Sequence, residues 1–89
     1  MKAVVTVMGL DRTGIIARVS TCLSEFNINI LDINQTIMQN IFTMVMLVDI
    51  KNSKSDFSSV TKELEKIGSE LGVEVRLQHE DIFNSMHQI

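Results

Sequence analysis

At 89 residues and 10.0 kDa the chain has room for one compact domain and no second core. Hydrophobic residues at 45% and charged residues at 21%, without proline and with four glycines, describe a folding chain and exclude collagen, linker and disordered sequence. A formal charge of -3 and a pI near 5.2 supply no basic field for phosphate backbones or anionic lipid, so no nucleic acid and no membrane is expected as a partner.

Residues 2–8 are short and β-branched, and they predict a first strand stopping at Gly9 with Ala3, Val5 and Val7 on one face. From Gly14 to Phe26, Ile15, Val19, Cys22, Leu23 and Phe26 recur at intervals of three and four, the period of a helix that buries one stripe. Residues 28–39 alternate as a half-buried second strand, with Leu31, Ile33 and Ile37 on the core side and Asp32, Asn34 and Thr36 on the other. Residues 41–50 are almost continuously apolar, as a strand interior to a sheet would be, and Gln39 with Asn40 makes the tight connection between these two strands. A two-residue turn there sets Ile37 opposite Phe42, Gln35 opposite Met44, Ile33 opposite Met46 and Leu31 opposite Val48 on the core face. The reverse face then pairs Asp32 with Leu47, Asn34 with Val45 and Thr36 with Thr43.

Ser55 is the expected N-cap of a second helix, with Asp56 in its first turn, and Phe57, Val60, Leu64, Ile67 and Leu71 form its stripe before Gly72 ends it. Val73, Val75 and Leu77 alternate with Glu74, Arg76 and Gln78 as a fourth strand. Residues 80–89 carry Ile82, Phe83, Met86 and Ile89 at helical spacing, which predicts a short amphipathic tail helix after a core spanning residues 1–79. The order strand, helix, strand, strand, helix, strand with right-handed crossovers predicts an α+β, ferredoxin-like βαββαβ sandwich. Its four-stranded antiparallel sheet has the order 4-1-3-2, with two helices on one face. One sheet face and the edge of strand two stay bare, and a domain this small buries only about 60% of the surface of its unfolded chain, so a homodimer is expected.

Gly9, Leu10, Asp11, Arg12, Thr13, Gly14 and Ile15 gather two glycines, a carboxylate and a guanidinium where a strand meets a helix N-terminus. Free N–H groups and the helix dipole favour an anion over residues 14–16, and Asp11 suits an ammonium group, so a zwitterion would be bound without being transformed. Asn29 and Asp32 are expected beside this loop. A second reading of the same residues makes Asp11 a helix cap or Asx turn and the glycines conformational devices, with Arg12 solvated.

The run GLDRTGII between strand and helix, followed by NINILDI, resembles the G-x-D-x-x-G-I loop and N-I strand entry of the ACT domain family, in the manner of small stand-alone bacterial ACT proteins. That resemblance covers nearly the whole chain and implies a non-catalytic regulatory module binding an amino acid or similar metabolite, often between two copies, and acting on an enzyme or regulator. It assigns the ligand-contacting loop to Gly9, Asp11, Arg12 and Gly14, and the strand-two contribution to Asn29. Thr13 stands where many relatives have proline, and Asn27 where many have glycine, which calls for left-handed geometry at Asn27.

Rival readings are weaker. A soft-metal chaperone needs loop cysteines, and the single Cys22 lies on the apolar helical stripe as a buried, inert thiol. RNA recognition on this topology needs exposed aromatic residues, whereas Tyr and Trp are absent and Phe42 falls on the core face. His79 and His87 fit no common zinc spacing and are expected at the surface; no cofactor, metal or catalytic constellation is implied. Without an apolar run near the roughly twenty residues of a membrane span, a leader pattern or paired cysteines, the cytoplasm is the expected compartment. The alternative function is a protein-interaction or dimerisation module of the same fold with a vestigial ligand site.

Overall fold

A computed structural model describes residues 1–81. Along the chain it holds β1 (Lys2–Leu10), α1 (Ile15–Glu25), β2 (Asn29–Met38), β3 (Ile41–Asp49), α2 (Phe57–Leu71) and β4 (Val73–His79). The four strands form one sheet in the order β2-β3-β1-β4, antiparallel at every pairing, which is the expected 4-1-3-2 order counted from the other edge. The tail helix expected over residues 80–89 falls, from Ile82 onward, outside the described residues.

One apolar cluster explains the layering. Ala3, Val5 and Val7 of β1, the alternate residues Phe42, Met44, Met46 and Val48 of β3, and Val73, Val75 and Leu77 of β4 pack with Ile15, Val19, Cys22 and Leu23 of α1 and Val60, Leu64, Ile67 and Leu71 of α2. Both helices therefore lie on the same face, and the period-two and period-3.6 stripes meet in a single core. Met44, Met46 and Leu64 are wholly enclosed.

The hairpin register matches expectation from Ile37 opposite Phe42 down to Asp32 opposite Leu47, and then departs from it. A bulge between Ile30 and Asp32 leaves Leu31 without a partner and sets Ile30, not Leu31, opposite Val48. Gln39 and Asn40 both adopt positive φ, 50° and 74°, the twist that a two-residue hairpin turn requires.

Three further expectations are corrected. Strand β1 runs through Gly9 to Leu10, because Gly9 remains paired with both Phe42 and Val73. The second helix is capped by Asp56 rather than Ser55: the Ser59 amide donates to the Asp56 carboxylate at 2.9 Å, and the Ser59 side chain first and its amide second, by favouring the ionised form, hold the carboxyl below its usual range. The proposed core side of β2 is not enclosed, with Ile33 44% and Ile37 54% exposed, because β2 is an edge strand of which Ile30 packs against the core while the residues beyond it do not.

Helix α2 also contains Gly68, where an added Cβ would lie 2.7 Å from the Val73 carbonyl oxygen. Helix propensity alone favours Gly68→Ala by about 1 kcal/mol. The backbone contact reverses the sign, and we expect Gly68→Ala to lose about 1–2 kcal/mol, read as a lower urea midpoint by circular dichroism.

Candidate functional site

The loop between β1 and α1 is placed by the sheet. Leu10 pairs with Ile41, and the next residue continues the contact: the Asp11 amide donates to the Asn40 carbonyl at 2.7 Å. The loop is thereby pinned to the β2–β3 turn. Gly9 serves packing, since an added Cβ would sit 2.7 Å from Cγ1 of Val73 on the neighbouring strand.

Gly14 is the N-cap of α1 with φ 98°, a backbone state costly for residues with a Cβ, and it makes no side-chain cap. Its carbonyl accepts the Arg18 amide at 2.9 Å, while the first-turn amides that precede Arg18 have no intrahelical partner. Nothing stands within 4 Å of where a Gly14 Cβ would be, so the helix end is open. Asp11 is not the cap, which removes that part of the second reading; its carboxylate is exposed and makes no hydrogen bond among the described residues. The loop thus presents a helix N-terminus lacking a side-chain cap, and one carboxylate lacking a partner, on the same short connection.

Two other residues assigned to the loop have different duties. Arg12 reaches away from the helix end, and its Nη1 donates to the Leu71 carbonyl at 3.4 Å, at the negative end of α2. Ile15 is 1% exposed as a whole residue, so it belongs to the core and offers a ligand no exposed surface. Ile16, at 38% exposure, is the apolar side chain available at the mouth.

Asn29 and Asp32 are not beside the loop within one chain. Strands β1 and β2 both run antiparallel to β3 and hence parallel to each other, so the start of β2 lies level with the start of β1: Asn29 and Lys2 share Asp49 as partner. The loop is eight residues further along, roughly 25 Å away. Asp32 is turned to its own backbone, its carboxylate accepting the Ile33 amide at 2.8 Å. Asn29 instead lines an open groove of ≈ 570 Å³ together with Ser20, Ser24, Asn27 and Asn52. Asn27 adopts φ 61°, the expected left-handed geometry, and its Nδ2 donates to the Asn52 carbonyl at 3.0 Å.

Asn40 is the loop partner that the sequence reading missed, and extending β1 by two residues would have found it, because Leu10 opposite Ile41 puts Asp11 opposite Asn40. His79 is half-buried rather than at the surface, stacked on Phe57 with ring centroids 4.2 Å apart; His87 lies outside the described residues. Phe42 is 2% exposed and offers no stacking platform. Among the described residues no helix is long and apolar enough to cross a membrane.

Cys22 is 3% exposed, and burial, reinforced by the carboxylates of Glu63 and Glu25, pushes its thiol up to about 11. At pH 8 we expect it to resist a thiol reagent until denaturant is added. Because the folded pKa exceeds the ordinary value of 9.0, the stability linked to this group is fully present below pH 9 and falls as pH rises toward 11, measurable as a declining urea midpoint over that window.

Comparison with known proteins adds sequence and structural kinship to this geometry. Residues 2–78 match the ACT domain family. A UPF0237 protein of Methanocaldococcus jannaschii is 62% identical over 88 residues, covering 99% of this chain and 98% of its own. An ACT domain protein from Streptococcus pneumoniae superposes with a TM-score of 0.81 at 41% identity, over 93% of each chain. The regulatory subunit of aspartate kinase from Thermus thermophilus superposes with a TM-score of 0.65 at 26% identity, over 86% of this chain and 50% of its own.

Proposed function

The chain belongs to the ACT domain family, whose members are small-molecule-binding regulatory modules, and on that premise we propose that it is a non-catalytic cytoplasmic sensor of an amino acid or similar metabolite. The observation that carries the proposal is the open N-terminus of α1 at Gly14 beside an Asp11 carboxylate with no partner among the described residues. A ligand carboxylate would take the first-turn amide of Ile16 at the exposed helix end, where the helix dipole favours negative charge, and its ammonium would pair with Asp11. The contacts are complementary to a zwitterion and include no group placed to break a bond.

The proposed working unit is a homodimer. Strand β2 is an edge with exposed Ile33 and Ile37, and a two-fold axis that ran two β2 strands antiparallel would carry the Asn29 end of one copy toward the loop end of the other. The carboxamide of Asn29 then joins the site from across the interface, which reconciles its place in the family's binding pattern with its distance from the loop in one chain. A regulated enzyme or regulator would read the ligand through the change in this pairing.

The competing reading, an interaction or dimerisation module whose ligand site is vestigial, draws on Arg12, whose guanidinium serves α2 rather than the mouth. A thermal-shift screen of the twenty amino acids separates the two, since a ligand bound only to the folded state raises Tm with concentration. We expect at least one concentration-dependent rise, lost in Asp11→Ala while that variant still unfolds cooperatively. No rise at millimolar ligand favours the vestigial site. Light scattering should give a dimer mass that dissociates on dilution, and a monomer mass at all concentrations would remove the shared site.

A further inference from the structure

The connection from β3 into α2, the first turn of α2 and the end of β4 together line a recess of ≈ 200 Å³. It lies at the opposite end of the sheet from the candidate loop, since His79 pairs with Ala3, eight residues or about 25 Å before Asp11 along β1. Ile50, Phe57, Val60 and Leu77 give it an apolar lining, and Ser55 and His79 add polar groups. The protein's own bonds keep the recess formed. The Ser53 amide donates to the Ile50 carbonyl at 3.1 Å, the Ser53 hydroxyl to the Ser55 carbonyl at 2.8 Å, and the Lys54 amide to the Phe26 carbonyl at 2.9 Å, so the connection is a fixed wall. Phe57 and His79, stacked with ring centroids 4.2 Å apart and planes 11° apart, make an aromatic wall. His79 and Ser55 are both half-buried, yet among the described residues neither the imidazole nor the Ser55 hydroxyl has a hydrogen-bond partner.

We propose that this recess is a second binding site, and that it takes a small molecule built on one aromatic ring bearing one hydroxyl, the size of phenol. Volume sets the size: a cavity of about 150 Å³ holds a benzene ring, and ≈ 200 Å³ leaves space for a small substituent. The lining sets the class. Val60 and Leu77, 2% and 7% exposed, form an apolar floor that favours a ring over water, and the aromatic wall adds offset or edge-to-face contact. A neutral imidazole has one accepting nitrogen, to which the ligand hydroxyl donates. No carboxylate, lysine or arginine side chain lines the recess, so it offers nothing to the zwitterion proposed for the loop, and this site stands whether or not the loop binds a ligand.

Nuclear magnetic resonance on the full chain, titrated with phenol and separately with toluene, tests this. Phenol should give saturable shifts at the amides of Ser55, Phe57, Leu77 and His79, with a Kd on the order of a millimolar, and none at residues 14–16. His79→Phe keeps a ring against Phe57 and removes both nitrogens, so the ratio of phenol to toluene affinity should fall about five-fold. Ser55→Phe, which sets a ring of the chain's own in the recess, should abolish the shifts from both probes while unfolding stays cooperative. Shifts that fail to saturate or that gather at the loop, an unchanged affinity ratio in His79→Phe, or undiminished binding in Ser55→Phe would each overturn the proposal.

Discussion

Strand β1 is hydrogen-bonded on both sides, to β3 and to β4, and the place where that double pairing stops fixes the loop that carries the candidate site. Pairing with β4 ends at Gly9 and with β3 at Leu10, and one last bond from the Asp11 amide to Asn40 carries the order one residue past the sheet. The chain must then turn into α1 within three residues. Gly14 makes that turn in a left-handed state and leaves the helix end without a side-chain cap. An ordered strand thus holds an electrostatically unsatisfied helix terminus in a fixed position.

The same sheet apportions burial unequally. Helices α1 and α2 lean on β1, β3 and β4, whose inward residues are enclosed, while β2 carries apolar residues on the same face with nothing over them. Sequence and packing therefore disagree along β2. In a family of regulatory modules such a disagreement is informative, because an apolar edge left exposed in one copy is surface that a second copy can bury.

How much of this was legible beforehand follows from the kind of interaction involved. The strand order and the register from Ile37 to Asp32 were readable because period-two patterning and a two-residue turn over-determine them. The bulge at Leu31 was not, since Ile30 and Leu31 are interchangeable in hydrophobicity and only three-dimensional twist selects which one faces Val48. The cap of α2 slipped by one residue because serine and aspartate both satisfy cap chemistry, and the Ser59 amide chose Asp56. At the candidate site the loop was legible as a motif, and the duties of its members were not. Ile15 and Arg12 are drawn into the core and to α2 by contacts with residues more than fifty positions away or by burial, neither of which local spacing encodes. Asn29 was misplaced for a topological reason: strands parallel to each other begin at the same end.

The bulge has a further consequence for solubility. An unbroken edge strand presents a regular comb of amides and carbonyls to any passing chain, whereas the irregularity between Ile30 and Asp32 interrupts β2 partway along. Beyond the bulge the register runs unbroken only over residues 32–38, a stretch long enough for one short strand pairing. At the sheet's other border, charged Glu74 and Arg76 roughen β4. Between them an irregular border and a charged one are the two devices by which an open sheet limits strand addition from neighbouring chains.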